Sequence, residues 1–232
     1  GQNGGRLTLT AEDNSYVGKL AERPAKRGRP IYTTLDRDLQ YQAEQMLGDR
    51  PGAVVALDVN TGAVLAMASG PGFDSNIFIR PTADWERTVV LNDPNQPLVN
   101  RAIQGQYPAG SVFKIVTIAA ALGPGNLSPE TTFTCPGYWD GLGEANRKMC
   151  WLETGHGDLS LEDGLTASCN VVFYNAGTAL HNVDPGTLSE FGKAFGLGEL
   201  TGLTTLSEAA GLMPDPAWKE HVYQAPWSTG DT

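Results

Sequence analysis

Tyr107-Pro108-Ala109-Gly110-Ser111-Val112-Phe113-Lys114 is the stretch on which the reading of this chain turns. The apolar run from Ile115 to Leu122 predicts a buried helix from about Ser111 to Leu122, stopped by Gly123-Pro124-Gly125. On that helix Lys114 lies one turn after Ser111 on the same face. A serine hydroxyl is a weak nucleophile until a base removes its proton. A lysine set among Val112, Phe113, Ile115 and Val116 has a lowered pKa, because burial disfavours its charged form. Ser111 at the helix start would also meet free backbone N–H groups that favour developing negative charge. A Ser-x-x-Lys arises by chance roughly once in a chain of this size, and by itself reads as a surface serine and a solvated lysine. The apolar surroundings of Lys114 argue against that bland reading.

Further along, Ser168-Cys169-Asn170 precedes Val171-Val172-Phe173-Tyr174. A second hydroxyl and an amide are what a serine–lysine site needs to relay a proton and orient a substrate. Ser-x-x-Lys with a following Ser-x-Asn belongs to the signature set of penicillin-binding proteins and some β-lactamases, with Cys169 here in place of the middle Asp. Around these motifs the chain alternates helices and strands. Asp36 opens a helix carrying Leu39, Ala43, Met46 and Leu47, with Leu35 placed as a hydrophobic staple and Gly48 and Pro51 as the stop. Ala53 to Val59 and Ala63 to Ala68, joined by Asn60-Thr61-Gly62, predict a β-hairpin. Both runs are apolar nearly throughout, so burial on both faces is expected. Residues 70–106 read as a long irregular segment, and 126–160 as loop-rich. Leu161 to Leu165, Val171 to Leu180 and Leu188 to Phe195 read as helices, and residues 196–232 as turn-rich. In the first 30 residues only Leu7 to Thr10 suggests a strand, and Gly1 to Arg6 and Pro24 to Pro30 read as connections.

The 232 residues include 16 basic and 26 acidic side chains, for a net charge of −10. That balance argues against a nucleic-acid binder, which needs a basic face. It also disfavours a polybasic membrane-surface protein. With 41% apolar and 18% charged residues the composition is that of a folded globular chain. No apolar run approaches the roughly 20 residues of a membrane span.

Taken in order, these motifs resemble the transpeptidase domain of a class B penicillin-binding protein of the elongation type. The resemblance rests also on Leu35-Asp36 with Leu39-Gln40, Asn100-Arg101-Ala102, Cys135-Pro136-Gly137, Gly155-His156-Gly157, Phe195-Gly196-Leu197-Gly198, Glu208-Ala209-Ala210-Gly211 and Trp227-Ser228-Thr229-Gly230-Asp231-Thr232. It covers residues 31–232, with residues 1–30 resembling the end of an N-terminal pedestal. It implies an α/β (α+β) fold of the serine β-lactamase/D,D-transpeptidase kind, with a central antiparallel sheet flanked by helices. It implies that Ser111 attacks the carbonyl of a peptidoglycan stem ending in D-Ala-D-Ala, with Lys114 as base and Ser168 and Asn170 relaying the proton and holding the peptide. No cofactor is implied for catalysis. β-Lactams are implied as covalent inhibitors of Ser111. A glycosyltransferase and other elongation-complex proteins are implied as partners of the full-length protein, on the extracytoplasmic side of the bacterial membrane. Two other readings share the first motifs. A serine β-lactamase would need a further base for deacylation, and no Glu-x-x-x-Asn follows Ser168; a β-lactam-sensor domain would bind without turnover. The family's Lys-Thr/Ser-Gly motif does not occur in these residues, and Ser228-Thr229-Gly230 is a poor substitute. The expectation is therefore an incomplete domain, without its C-terminal strands, that does not turn over substrate alone.

Cys135, Cys150 and Cys169 are the three cysteines, and His156 lies among them. Three readings stay open: a structural zinc held by Cys135, Cys150, His156 and Cys169, a Cys135–Cys150 disulfide with Cys169 free, or three free thiols. Four protein ligands would leave no open position, so a metal there would be structural. If Ser168 and Asn170 face a cleft, Cys169 between them points behind it. His181 and His221 read as ordinary surface or core residues.

Overall fold

A computed structural model describes residues 2–203 and 205–232, and Gly1 at the head of the N-terminal stretch lies outside the described residues. The chain divides into two compact units, Gly1–Gly72 and Phe73–Thr232.

In the first unit β1 (Gly5–Thr10) and β2 (Tyr16–Arg23) form an antiparallel hairpin. The sequence suggests only β1; β2 lies between the two stretches that read as connections. Helix α1 (Arg37–Leu47) begins where the sequence places it, because the Asp36 carboxylate accepts from the backbone N–H groups of Asp38 and Leu39. It ends at Gly48, whose φ of +53° suits glycine. Strands β3 (Gly52–Leu57) and β4 (Val64–Gly70) pair antiparallel as the hairpin the sequence predicts. The Asp58 carboxylate accepts from Asn60 N and Thr61 N and so shapes the turn. Ala43, Ala66 and Ala68 form a small core with Leu47, Val54 and Ala56 packed against it. The Gln40 side chain ties α1 to β4 twice, donating to Met67 O at 3.0 Å and accepting from Met67 N at 2.7 Å. Burial on both faces of the hairpin does not hold. Residues along β3 alternate, with Val55 and Leu57 exposed. The single helix packed on this pair covers only one face of the pleat.

The second unit opens with a 3₁₀ turn at Ser75–Phe78, then α2 (Asp84–Asn92) and α3 (Arg101–Gln104), inside a segment expected to be irregular. A 3₁₀ turn at Gly110–Phe113 leads into α4 (Lys114–Leu122), so Ser111 precedes the α-helix instead of starting it. Strand β5 (Thr132–Cys135), β6 (Tyr138–Trp139), β7 (Lys148–Met149) and β8 (Gly157–Ser160) follow, pairing β5 with β8 and β6 with β7, both antiparallel. Then come α5 (Leu161–Thr166), α6 (Asn170–Val183), α7 (Thr187–Ala194) and, in the stretch read as turns, α8 (Pro216–Tyr223). The Asp215 carboxylate caps α8 through Trp218 N, with Pro216 in its first turn.

Helix α6 is the centre of this unit. Val171, Val172, Phe173, Ala176 and Leu180 are buried along it, and α4 presses Val116, Ala120 and Ala121 into the same region. Each fully buried Val or Leu contributes about 1.5–3 kcal/mol. The resulting mixture of helices and antiparallel strand pairs is the fold class that the sequence implies. Among the described residues no helix is long and apolar enough to cross a membrane.

Candidate active site

Lys114 is the first residue of α4 and is 9% exposed. Its Nζ donates to Ser168 O at 2.7 Å, to Asn170 Oδ1 at 2.8 Å and to Ser168 Oγ at 3.1 Å. The Phe173 ring, one turn beyond Asn170 on α6, lies with its centroid 5.5 Å from the same nitrogen. Burial holds the Lys114 pKa below the ordinary lysine value, while the charge that Cys150 and Cys169 can carry pushes it partly back up. Of the three oxygen partners only the Ser168 hydroxyl can also donate. Once Nζ is neutral, the proton of Ser168 Oγ can point at it along the same 3.1 Å contact. Ser111 is exposed on the 3₁₀ turn, and it lines a cleft of about 330 Å³ together with Lys114, Thr117, Asn170 and Phe173. A larger cavity of about 720 Å³ shares Gly110, Phe113 and Leu188 with this cleft and adds Tyr107, Met213 and Trp227.

Ser168 stands in the left-handed region at φ +50°, one of the few residues with a side chain to do so. Cys169 follows as the N-cap of α6 and is fully buried, and Asn170 is the first residue of that helix. The tripeptide sends Ser168 and Asn170 to Lys114, while the sulfur of Cys169 between them lies 4.0 Å from that of Cys150.

That sulfur meets the other three ligand candidates. One donor atom each from Cys135, Cys150, His156 and Cys169 lies within 4.8 Å of all the others. Cys135 Sγ is 3.5 Å and Cys150 Sγ 3.7 Å from His156 Nδ1, and the sulfurs of Cys150 and Cys169 are 4.0 Å apart. None of the three is in a disulfide, so the Cys135–Cys150 bridge is not formed, and the Cys150 and Cys169 sulfurs lie well beyond the roughly 2.05 Å of such a bond. A tetrahedral zinc with bonds of roughly 2.3 Å to sulfur and 2.0–2.1 Å to nitrogen has ligand edges of about 3.8 Å between sulfurs and about 3.6 Å between sulfur and nitrogen. The four residues fit that ion by donor set and by spacing. Burial raises the Cys150 thiol, but the backbone N–H groups of Leu152 and Asn170, the Cys135 side chain and the backbone N–H of Val171 outweigh it and hold the pKa below the ordinary value. Burial pushes the Cys169 thiol up to about 11.

Two glycine turns bring these segments together. Gly137 at φ +97° and Gly155 at φ +82° lie back to back, and Cys150 N donates to Gly137 O at 2.9 Å. A Cβ at residue 137 would stand 2.0 Å from the Glu153 carbonyl oxygen. Gly137→Ala is expected to destabilise the protein by at least about 2 kcal/mol, read as an early thermal unfolding transition. An unchanged transition would show that this crossing is not tight.

All eight residues singled out from the sequence thus fall in one region: four around the Lys114 cleft and four behind it. Phe173 and Trp151 are additions. Phe173 could have been found by its one-turn spacing from Asn170. Trp151 could have been found as an aromatic with a polar handle beside Cys150; its Nε1 donates to Ala167 O at 3.1 Å, and its ring stands edge-on to His156 with centroids 5.1 Å apart.

The family model for the penicillin binding protein transpeptidase domain matches residues 52–231. Peptidoglycan D,D-transpeptidase MrdA of Escherichia coli K12 is 37% identical over 232 residues, covering 100% of this chain and 36% of the relative. The chain thus spans about a third of the length of that curated relative. The complex between penicillin-binding protein PBP2 and MreC from Helicobacter pylori contains a structure similar at a TM-score of 0.80 and 26% identity, over 97% of this chain and 42% of that one. The penicillin G acyl-enzyme complex of penicillin-binding protein A from M. tuberculosis is similar at a TM-score of 0.69 and 29% identity, over 79% of this chain and 44% of that one. This chain belongs to the penicillin-binding protein transpeptidase domain family, on the class B, elongation-type branch that holds MrdA and PBP2.

Proposed function

We propose that the full-length protein cross-links peptidoglycan by serine acyl transfer, and that residues 31–232 are part of its transpeptidase domain, with residues 1–30 the end of a pedestal. In this reading Ser111 Oγ attacks the carbonyl of the penultimate D-Ala of a stem peptide, and Lys114 Nζ takes the serine proton. The proton passes by way of Ser168 Oγ to the amine of the terminal D-Ala, which leaves as the peptide bond breaks. Asn170 orients the peptide from the start of α6. The acyl-serine ester then meets an amine of a neighbouring stem; a new amide forms and Ser111 regains its proton. The observation that carries this is the contact of the buried Lys114 Nζ with Ser168 Oγ and Asn170 Oδ1 beside the cleft that Ser111 lines. A β-lactam offers its strained amide to the same serine, and the acyl-enzyme complex of the mycobacterial relative supports that reading. Full-length protein treated with a labelled penicillin and digested should carry the label on the peptide containing Ser111, one per molecule. Label on another residue, or hydrolysis of the drug without a lasting adduct, would overturn the assignment.

Cys135, Cys150, His156 and Cys169 would hold a structural zinc, through three sulfurs and His156 Nδ1. With four protein ligands such an ion supplies bracing and no open coordination position. The chain's own part is clear from position: Cys169 joins Ser168 to Asn170, so whatever fixes its sulfur fixes both. The protein is placed on the extracytoplasmic side of the bacterial membrane, tethered there in its full-length form, with a polymerising glycosyltransferase and other elongation-complex proteins as partners. The Helicobacter pylori relative solved with MreC supports a partner of that kind.

A further inference from the structure

Ser168 holds a backbone conformation that costs a residue with a side chain roughly 1 kcal/mol or more. The two peptide units on either side of its Cα explain how it stays there, because all four of their hydrogen-bonding groups are engaged. On the near side Ser168 N donates to Leu165 O at 3.0 Å, and Ala167 O accepts from Trp151 Nε1 at 3.1 Å. On the far side Cys169 N donates to Gly164 O at 2.8 Å, and Ser168 O accepts from Lys114 Nζ at 2.7 Å. With both peptide planes held at both edges, the torsions at Ser168 have no freedom left. Two of the four partners are carbonyls of α5, Gly164 and Leu165. One is the lysine of the cleft itself. The fourth, the indole of Trp151, is a side chain from a separate segment.

Trp151 is 61% exposed, so burial of its ring is not what places it there. Its N–H reaches across sixteen residues of chain to one carbonyl, and its ring edge rests against His156. We propose that Trp151 is a positioning residue for the acylation step, holding the Ala167–Ser168 peptide plane so that Ser168 presents its carbonyl and its hydroxyl together to Lys114. Without the indole N–H, Ala167 O turns to solvent and the peptide plane is free to rotate. Ser168 then relaxes toward an ordinary φ and its hydroxyl leaves the lysine. Substrate would still enter the cleft, since Trp151 does not line it. The chemical step would slow.

The inference rests on the proposed roles of Lys114 and Ser168, and the test separates the two. In the full-length protein Trp151→Phe keeps an aromatic ring beside His156 and removes the N–H. A second variant carries benzothienylalanine at residue 151, which keeps the indole shape with sulfur in place of the N–H. Acylation by a fluorescent penicillin is followed under single-turnover conditions, with bound zinc, thermal unfolding and hydrogen exchange of residues 165–170 measured on the same samples. In both variants the acylation rate constant should fall roughly three- to tenfold, the span of one lost hydrogen bond. The dissociation constant of the precovalent complex, the zinc content and the unfolding temperature should stay as in wild type, and amides of 165–170 should exchange faster. An unchanged rate constant in the benzothienylalanine variant would overturn the proposal. So would a loss that tracks zinc content, which would make Trp151 a cover for the cysteine–histidine cluster. Failure of the wild type to label Ser111 would instead remove the acyl-transfer reading beneath it.

Discussion

Ser111→Ala is expected to take up no labelled penicillin, and Lys114→Met to take it up at least about 10³-fold more slowly than wild type. The two losses have different origins. Alanine removes the atom that forms the ester. Methionine keeps the length of the side chain but withdraws the donor that Ser168 O, Ser168 Oγ and Asn170 Oδ1 share. Lys114→Arg should not restore the rate, because a guanidinium stays protonated and cannot serve as base. The pH profile adds a further check. In the proposed mechanism the neutral amine is the active form, and burial sets its pKa below the ordinary lysine value, so the acylation rate should rise with pH and level off before lysine's usual range. The same shift has a consequence for folding. The unfolded chain binds the lysine proton more tightly, so the cost of burying Lys114 is fully present below the folded pKa and is relieved as pH rises from there toward 10.5. A rate that plateaued only above the ordinary lysine pKa, or an arginine variant as fast as wild type, would remove Lys114 from the role of base.

On the proposed zinc reading, treating the full-length protein with a chelator is expected to lower its stability by about 3 kcal/mol or more and to remove acylation at the same time. Cys169→Ser should do the same without chelator. The coupling follows from position. Cys169 is fully buried at the N-cap of α6, with Ser168 before it and Asn170 after it. Thermal unfolding and penicillin labelling before and after chelation, with zinc and free thiols counted on each sample, make the check. Protein purified without added zinc that holds no metal, shows three titratable thiols and unfolds at the same temperature would refute the zinc reading.

What the sequence made legible depended on whether local chemistry and tertiary packing agree. Helix α1 was readable because Asp36 caps it and Gly48 stops it within the same stretch. The β3–β4 turn was readable because Asp58 and Gly62 fix it locally. Strand β2 was missed because it is exposed along nearly all its length, so no alternation of apolar and polar residues marks it. Helix α2 buries none of its residues and so offers no apolar stripe. Helix α8 was signalled by Asp215-Pro216, a cap followed by a first-turn proline, and was passed over among the turns around it. In the hairpin, apolar composition suggested two buried faces where one helix supplies cover for one. Ser111, Lys114, Ser168 and Asn170 were legible as motifs of one shared site, but the backbone that brings them together was not. Serine carries no mark of a left-handed backbone, and the donor from Trp151 to Ala167 spans segments that nothing in the chain's order connects.

Among the twenty amino acids glycine suits the conformation at residue 168 best, since it alone meets no penalty at positive φ. Glycine is also the residue that would leave Lys114 without a hydroxyl to exchange protons with. Stability and turnover thus pull in opposite directions at this one position. Serine there marks a trade-off in which folding free energy is given up for chemistry. Selection for a more stable protein would press against the hydroxyl proposed to relay the proton.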